Sequence, residues 1–315
     1  MCRACYAPGV KSLSISIVGA GRLGTALAER LDQAGYCISQ IIARTSKRSM
    51  AQARTLAEKL RAQTASIREA QIKAGLVWFC VPDEEISRAA NAFPRGQWTD
   101  KIAVHSSGVL TSEALESLRK QGAHVASVHP LMTFVHGSVP QLAGVPFAIE
   151  GDRAAVRVAK QIVHNLKGSA IRLRKQDKVA YHAFATMICP LLVSLLAAAE
   201  KPSAFAGMSA AEARRRMMPI LRQTLANYER LGPAKAFSGP IVRGDTETIR
   251  QHLAALAAIP PASSAYTALA KAALEYLPSH NASEIRAVLE EFTQRAVRRN
   301  GKRTSPASRR STRRR

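Results

Sequence analysis

A short β-branched apolar run, Ile15, Ile17 and Val18, breaks into Gly19, Gly21 and Gly24 at GxGxxG spacing, and a helical pattern begins at once. Strand, tight turn and helix start therefore follow one another within a dozen residues. Gly19 permits the turn, Gly21 lets backbone approach a pyrophosphate with no Cβ in the way, and Gly24 lets the helix lie close on the strand. The helix start offers unpaired N–H groups to the anion, so Gly19, Ala20, Gly21, Arg22, Leu23 and Gly24 form the expected phosphate-facing loop.

The residues after the second strand decide which dinucleotide suits this loop. About 20 positions beyond such a fingerprint, an NAD site carries an Asp or Glu for the ribose 2′-hydroxyl. Here Arg44, Thr45, Ser46, Lys47 and Arg48 stand in that place, with hydroxyls and cations and no carboxylate among them. That composition suits a 2′-phosphate, so NADP (as NADPH) is expected ahead of NAD; a solvated basic loop is the plain alternative.

Downstream, Gly75 to Val81 is a continuous apolar run of the kind buried on both faces in a parallel sheet, and Pro82 and Asp83 end it. Ligands of doubly wound sheets lie at the carboxyl ends of the strands, which places Val81, Pro82 and Asp83 in the cofactor groove and His105, Ser106 and Ser107 at its nicotinamide end. Strand and helix patterns alternate up to Leu173, and from Lys175 the pattern is helical throughout. The expected fold is α/β: a doubly wound, mostly parallel Rossmann sheet over 11–174 and an all-α domain over 175–290. A loose extension covers 1–10 and a basic, disordered tail 291–315. Pro190 and Pro219 fall inside helical patterns and should kink or break them.

Charge and cysteine content narrow the setting. Ten of the cations lie in Arg295 to Arg315 with no acid, leaving +14 of the formal +24 on the body, a balance that favours polyanionic ligands and permits nonspecific nucleic-acid contact. Five cysteines, an odd number, with Cys37 and Cys80 in strand patterns, fit a reducing compartment. The Cys2/Cys5 pair has no second pair at zinc-ribbon spacing, and Asp83, Glu84 and Glu85 have no nearby histidine, so no metal site is expected. No apolar h-region precedes the first strand and no apolar run is expected to reach the ~20 residues that span a bilayer, so the reading is cytoplasmic, with no membrane partner.

With the fingerprint, His129-Pro130, Tyr181-His182 and the stretch Phe237 to Asp245 all placed, the chain resembles bacterial proteins that join a Rossmann-like NADP-binding domain to the domain called DUF2520. The wider group includes pyrroline-5-carboxylate reductases, F420-dependent NADP reductases and the 6-phosphogluconate and β-hydroxyacid dehydrogenases. The resemblance implies a 6-phosphogluconate-dehydrogenase-like helical domain, an active site between the domains and a homodimer. It also implies a role for His129, which resembles the His-Pro of prephenate dehydrogenases, where the imidazole bonds the reacting hydroxyl. Where the family pattern has Asn, eight residues after His182, this chain has Pro190.

The chemistry expected is hydride transfer between nicotinamide and a carbonyl or imine carbon of a small anionic substrate, which needs one proton donor or acceptor at the heteroatom. His129 is the first candidate, titrating near neutrality, and otherwise a strand-end cap. Lys178 and His182 lie four apart on one helix face, where Lys178 polarises the substrate oxygen or is simply solvated. Ser107, Tyr181 and Arg243 are candidates for substrate binding, Arg243 through its planar fork or else as a structural tie. Two other classes stay open: a noncatalytic NADP-binding regulator, and a nucleic-acid binder acting through the Arg-rich tail.

Overall fold

The computed structural model of the 315-residue chain describes residues 13–304, so Cys2, Cys5 and the segments 1–10 and 305–315 lie outside the described residues. It divides into two compact units, one ending at Cys189 and one beginning at Pro190.

The first unit holds every strand. In chain order it runs β1 (Ser14–Val18), α1 (Arg22–Gln33), β2 (Cys37–Ala43), α2 (Lys47–Leu60), β3 (Gln63–Ser66), β4 (Leu76–Phe79), α3 (Asp83–Ala92), β5 (Ile102–His105), α4 (Glu116–Arg119), β6 (His124–Pro130), β7 (Pro146–Gly151), α5 (Arg153–Asn165), β8 (Ser169–Arg172) and α6 (Lys178–Ile188). The eight strands form one sheet in the order β3-β2-β1-β4-β5-β6-β7-β8. All neighbours are parallel except β6 with β7, whose antiparallel pairing sets Ser127 against Glu150 and His129 against Ala148. Strand order reverses between β1 and β4, which opens a crevice at their carboxyl ends.

Alternation along β1 explains how two cores form. Ile15 and Ile17 point to one face and pack with Leu27 and Leu31 of α1, Leu56 of α2 and Ile162 of α5. Val18, with Val77 and Phe79 of β4, packs on the other face with Ile86 and Ala90 of α3 and Leu118 of α4. Helices cover both faces, so β4 and β5 are buried from end to end and β1 is buried from Ile15 on.

The three fingerprint glycines play separate parts. Gly19 has φ +100°, donates its N–H to the Ile42 carbonyl at 2.8 Å, and a Cβ there would stand 2.7 Å from the Cys80 carbonyl. A Cβ on Gly24 would lie 1.9 Å from the Gly19 carbonyl. Gly21 has open space before it, as a position facing a ligand should. No side chain caps the α1 N-terminus.

The second unit is helical: α7 (Pro190–Ala199), α8 (Ala210–Leu231), α9 (Pro233–Ala236), α10 (Pro240–Arg243), α11 (Thr246–Leu256), α12 (Pro260–Tyr276) and α13 (Ala282–Thr304). Its core gathers Ile249, Leu253, Ala270, Ile285, Val288 and Leu289 from α11, α12 and α13. Pro190 starts α7 after a break at Cys189, whereas α8 runs through Pro219.

Two expectations are corrected. The segment 291–315 is helical as far as Thr304, because Phe292 packs on the α11–α13 core and Arg295 pairs with Glu291 one turn back. An apolar stretch of membrane-spanning length does exist: the helical residues 175–206 are long and apolar enough by composition, with a mean hydropathy of 1.9 over an 18-residue window and no part of that window buried.

The Gly24 contact yields a test. Gly24→Ala forces α1 away from the β1 turn, and we expect a loss of about 1–3 kcal/mol or more in stability, read as a fall in the urea midpoint at unchanged slope.

Candidate active site

The crevice at the strand reversal is a cavity of about 400 Å³. Its floor is Val18, Gly19, Ala20 and Gly21, its β4 wall is Cys80, Val81 and Pro82, and its β2 end carries Ala43, Arg44 and Thr45. The structure therefore brings together Gly19, Ala20, Gly21, Arg44, Thr45, Val81 and Pro82 as the sequence suggests. Arg22, Leu23 and Gly24 form the first turn of α1 instead, Asp83 begins α3, and Arg48 is exposed on α2. Ser46 is the N-cap of α2, its hydroxyl accepting from the Ser49 N–H at 3.3 Å.

Sequence reasoning missed Ser49, Gln52, Arg68 and Arg88, which line the same cavity from α2, the end of β3 and α3. They lie outside any local motif, and only the packing of three elements gathers them. The run 44–48 itself holds no carboxylate, but Glu85 of α3, distant in sequence, lies 4.0 Å from Arg44 and 2.7 Å from Arg88. Three arginines against one glutamate still leave two positive charges, matching a phosphate monoester near neutral pH.

A second group of residues gathers at the ends of β5 and β6. Ser107 is held on every side. Its N–H donates to His105 Nδ1 at 3.1 Å, and its carbonyl accepts from Lys178 Nζ at 3.1 Å and Ser127 Oγ at 3.2 Å. Its hydroxyl oxygen accepts from the N–H groups of Val109 and Leu110, at 3.2 and 2.9 Å. With both lone pairs taken, the Ser107 hydroxyl has only a proton to offer.

Beside it, His129 Nδ1 lies 3.3 Å from the Tyr181 hydroxyl, and its ring stands edge-on to both Tyr181 and His182. Lys178, Tyr181 and His182 share one face of α6 at i, i+3 and i+4, as their spacing demands. Gly108 makes room for both imidazoles, since a Cβ there would stand 2.3 Å from His182 Cδ2 and 2.9 Å from His129 Nε2. Gly108 and Ser127 were not singled out in the sequence. Ser127 could have been, because it precedes His129 by two on one strand and so faces the same side.

Electrostatics refine the roles. Lys178 is 1% exposed, and its ammonium donates to Ser127 Oγ at 2.7 Å as well as to Ser107. It is not a solvated lysine: its ammonium is bonded inside the fold, to Ser107 and Ser127. Burial lowers its pKa to about 8, with Glu150 and Asp83 acting in the opposite direction. Glu150, itself buried, accepts from the N–H and hydroxyl of Ser112. Burial, with Lys178 and His182 nearby, pushes His129 down to about 4, so it is neutral at pH 7 and does not titrate near neutrality.

His105 and Ser106, expected to meet the nicotinamide, have side chains engaged within the fold. His105 is fully buried, with Nε2 donating to the Thr111 carbonyl at 2.9 Å, and burial lowers its pKa to about 4. Ser106 Oγ accepts from Trp78 Nε1 at 2.8 Å. Arg243 is exposed at the end of α10 in the second unit. Among the described residues, no cluster of three metal-ligating side chains occurs.

Comparison with known proteins agrees with this architecture. Residues 8–130 match the Rossmann-like domain, and residues 145–273 match the domain of unknown function DUF2520. The chain joins a Rossmann-like domain to a DUF2520 domain. The DUF2520 match begins inside the sheet, at the loop before β7, so that domain supplies β7, β8 and α6 as well as most of the helical unit.

Solved structures share the fold. A Bacteroides fragilis protein described as an NADP oxidoreductase is 23% identical over 84% of this chain and 98% of its own, with a TM-score of 0.69. The Aspergillus terreus reductive aminase, solved with NADPH and ethyl-5-oxohexanoate, is 18% identical over 87% and 99% of the two chains, at 0.59. The 1-pyrroline-5-carboxylate reductase of Streptococcus pyogenes is 15% identical over 90% and 98%, at 0.56. No protein with a curated description gives a significant match.

The buried imidazoles make stability depend on pH. Folded His105 and His129 take up protons near pH 4, the unfolded rings near 6.5, so the unfolded state binds more protons between those values. Stability is therefore expected to fall as pH drops from about 6.5 to 4, by up to about 3 kcal/mol per ring. Lys178 adds a rise between about pH 8 and 10.5, absent in Lys178→Met. Urea midpoints across pH 4 to 10.5 test both limbs, and a flat acid limb would refute the burial argument.

Proposed function

We propose that this protein is an NADP-dependent oxidoreductase that transfers hydride between nicotinamide and a carbonyl or imine carbon of a small anionic substrate. The observation that carries the proposal is the cavity at the strand reversal. It has a glycine turn at one end and Arg44, Thr45, Ser49, Arg68 and Arg88, with only Glu85 opposing them, at the other. The turn at Gly19 to Gly21 would hold the pyrophosphate, and the arginine-rich end the 2′-phosphate. The bound nicotinamide supplies the hydride acceptor or donor.

The chain's own residues then handle the proton. A neutral His129 accepts one from a substrate hydroxyl or amine in the oxidising direction. In the reducing direction the Tyr181 hydroxyl, bonded to His129, is the neutral donor at hand, and burial raises its pKa. The Ser107 hydroxyl, able only to donate, polarises the heteroatom, and buried Lys178 holds Ser107 while adding a positive charge that suits an anionic substrate. The known activities of the structurally similar reductive aminase and pyrroline-5-carboxylate reductase support this reaction class.

A homodimer working in the cytoplasm is part of the same reading. Val179, Phe184, Met187 and Ile188 of α6 and Leu191, Leu192, Val193 and Leu195 of α7 are exposed. A second copy suits these exposed side chains better than a lipid bilayer does, because α6 is bound to the sheet through Lys178 and Tyr181, and Cys189 interrupts the helix. Light scattering should give twice the chain mass for wild type, with a shift toward monomer for Leu192→Glu. A monomeric wild type would overturn the dimer.

Titration with NADPH and NADH, followed by nicotinamide fluorescence, tests the cofactor. We expect NADPH to bind more tightly, and Arg44→Ala to weaken NADPH by about tenfold or more while leaving NADH nearly unchanged, as loss of a charge-assisted phosphate contact implies. Equal affinity for the two nucleotides would overturn the NADP assignment. Tight binding with no NADPH oxidation across a panel of keto acids and imines would reduce the protein to a nucleotide sensor.

A further inference from the structure

A second cavity of about 900 Å³ lies at the other end of the sheet, between the first half of α5 and the end of β8. In strand order, β5 and β6 separate β4, which walls the cofactor crevice, from β7, which lines this cavity with β8, and the two cavities share no lining residue. Its walls carry Arg153, Arg157 and Lys160 from α5 and Arg172 from β8. None of these four makes an ion pair with a carboxylate among the described residues.

Glu150, Arg174 and Lys175 line the cavity as well, and the acids near it are bonded to groups other than these four cations. Asp152 accepts from the Val125 N–H and from Arg119, and Glu150 from Ser112. Asp177 pairs with Arg174, and Glu113 with Lys175. The four cations thus line a concave surface with no carboxylate partner among the described residues. Arg153, Arg157 and Lys160 also repel along α5 at i, i+4 and i+7, and Arg153 sits in the first turn, where the helix dipole disfavours a cation.

We infer that this groove is a second ligand site, taking a small molecule that carries two or more phosphate groups. Three of the four cations are arginines, whose planar forks pair phosphate oxygens two at a time. The α5 stripe is about 10 Å long, too long for one phosphate to satisfy. The volume falls within the range of small-molecule sites, about 300–1,000 Å³. The inference does not rest on the proposed reaction.

Isothermal titration of the full chain with inorganic tripolyphosphate, at 150 mM salt, is the test. Wild type and Arg44→Ala should bind alike, and Arg157→Gln/Arg172→Gln should bind at least tenfold more weakly. The exposed Lys160→Gln, as a single change, should weaken binding severalfold and serves in place of the double variant if that one does not fold. No binding by wild type, or equal binding by the groove variants, would overturn the site, the latter assigning the anion to the basic C-terminal segment. Binding abolished by Arg44→Ala would assign it to the cofactor crevice and equally overturn it. A twelve-residue oligothymidylate added as competitor should not displace tripolyphosphate; displacement lost with the groove variants would make a nucleic-acid backbone the occupant and overturn the small-molecule assignment.

Discussion

The approach of α1 to the end of β1 is the contact on which the cofactor crevice depends. With no Cβ at Gly19 or Gly24, the helix start, the turn and the Cys80 carbonyl of the neighbouring strand end come within van der Waals reach. That closeness leaves the backbone of Gly21 open toward the cavity and uncapped N–H groups at the head of α1. Any side chain at Gly24 would separate helix from strand, and the anion-binding geometry would go with it.

A second constraint operates where α6 meets the sheet. A lysine buried to 1% exposure is costly unless its protons are bonded and a countercharge is near. Here the Ser107 carbonyl and Ser127 hydroxyl accept them, and Glu150 supplies the opposite charge. The arrangement holds Ser107 in one orientation; burial keeps His129 and His105 neutral, and the cation close by acts in the same direction. The buried cation thus ties α6 to the ends of β5 and β6.

Much of the architecture was legible because local patterns and global fold agree. The alternation of Ile15, Ile17 and Val18, the glycine spacing and the apolar β4 run each point to the same doubly wound sheet. The helix face bearing Lys178, Tyr181 and His182 was likewise legible, because i, i+3 and i+4 residues must share a side. The break before α7 was legible from Pro190, whereas the membrane-spanning length of the apolar stretch 175–206 was not, since its uncharged residues run across the two helices that Cys189 separates. The helical continuation of 291–304 escaped for a different reason: its support comes from Phe292 packing on a core assembled from distant segments.

By itself the sequence determined the dinucleotide turn, the parallel sheet, the helical second half and the basic residues at the end of β2, all consequences of spacing and side-chain type over short distances. Only the tertiary structure decided how those groups act. Arg68 and Arg88 join Arg44 because three elements converge, and Glu85 tempers them from α3. His105 becomes structural and His129 neutral because burial sets their protonation, and burial is a property of packing. The physical reason is one of range: periodicity and turn chemistry act over a few residues, whereas desolvation and charge pairing depend on which distant atoms the fold brings within a few ångströms.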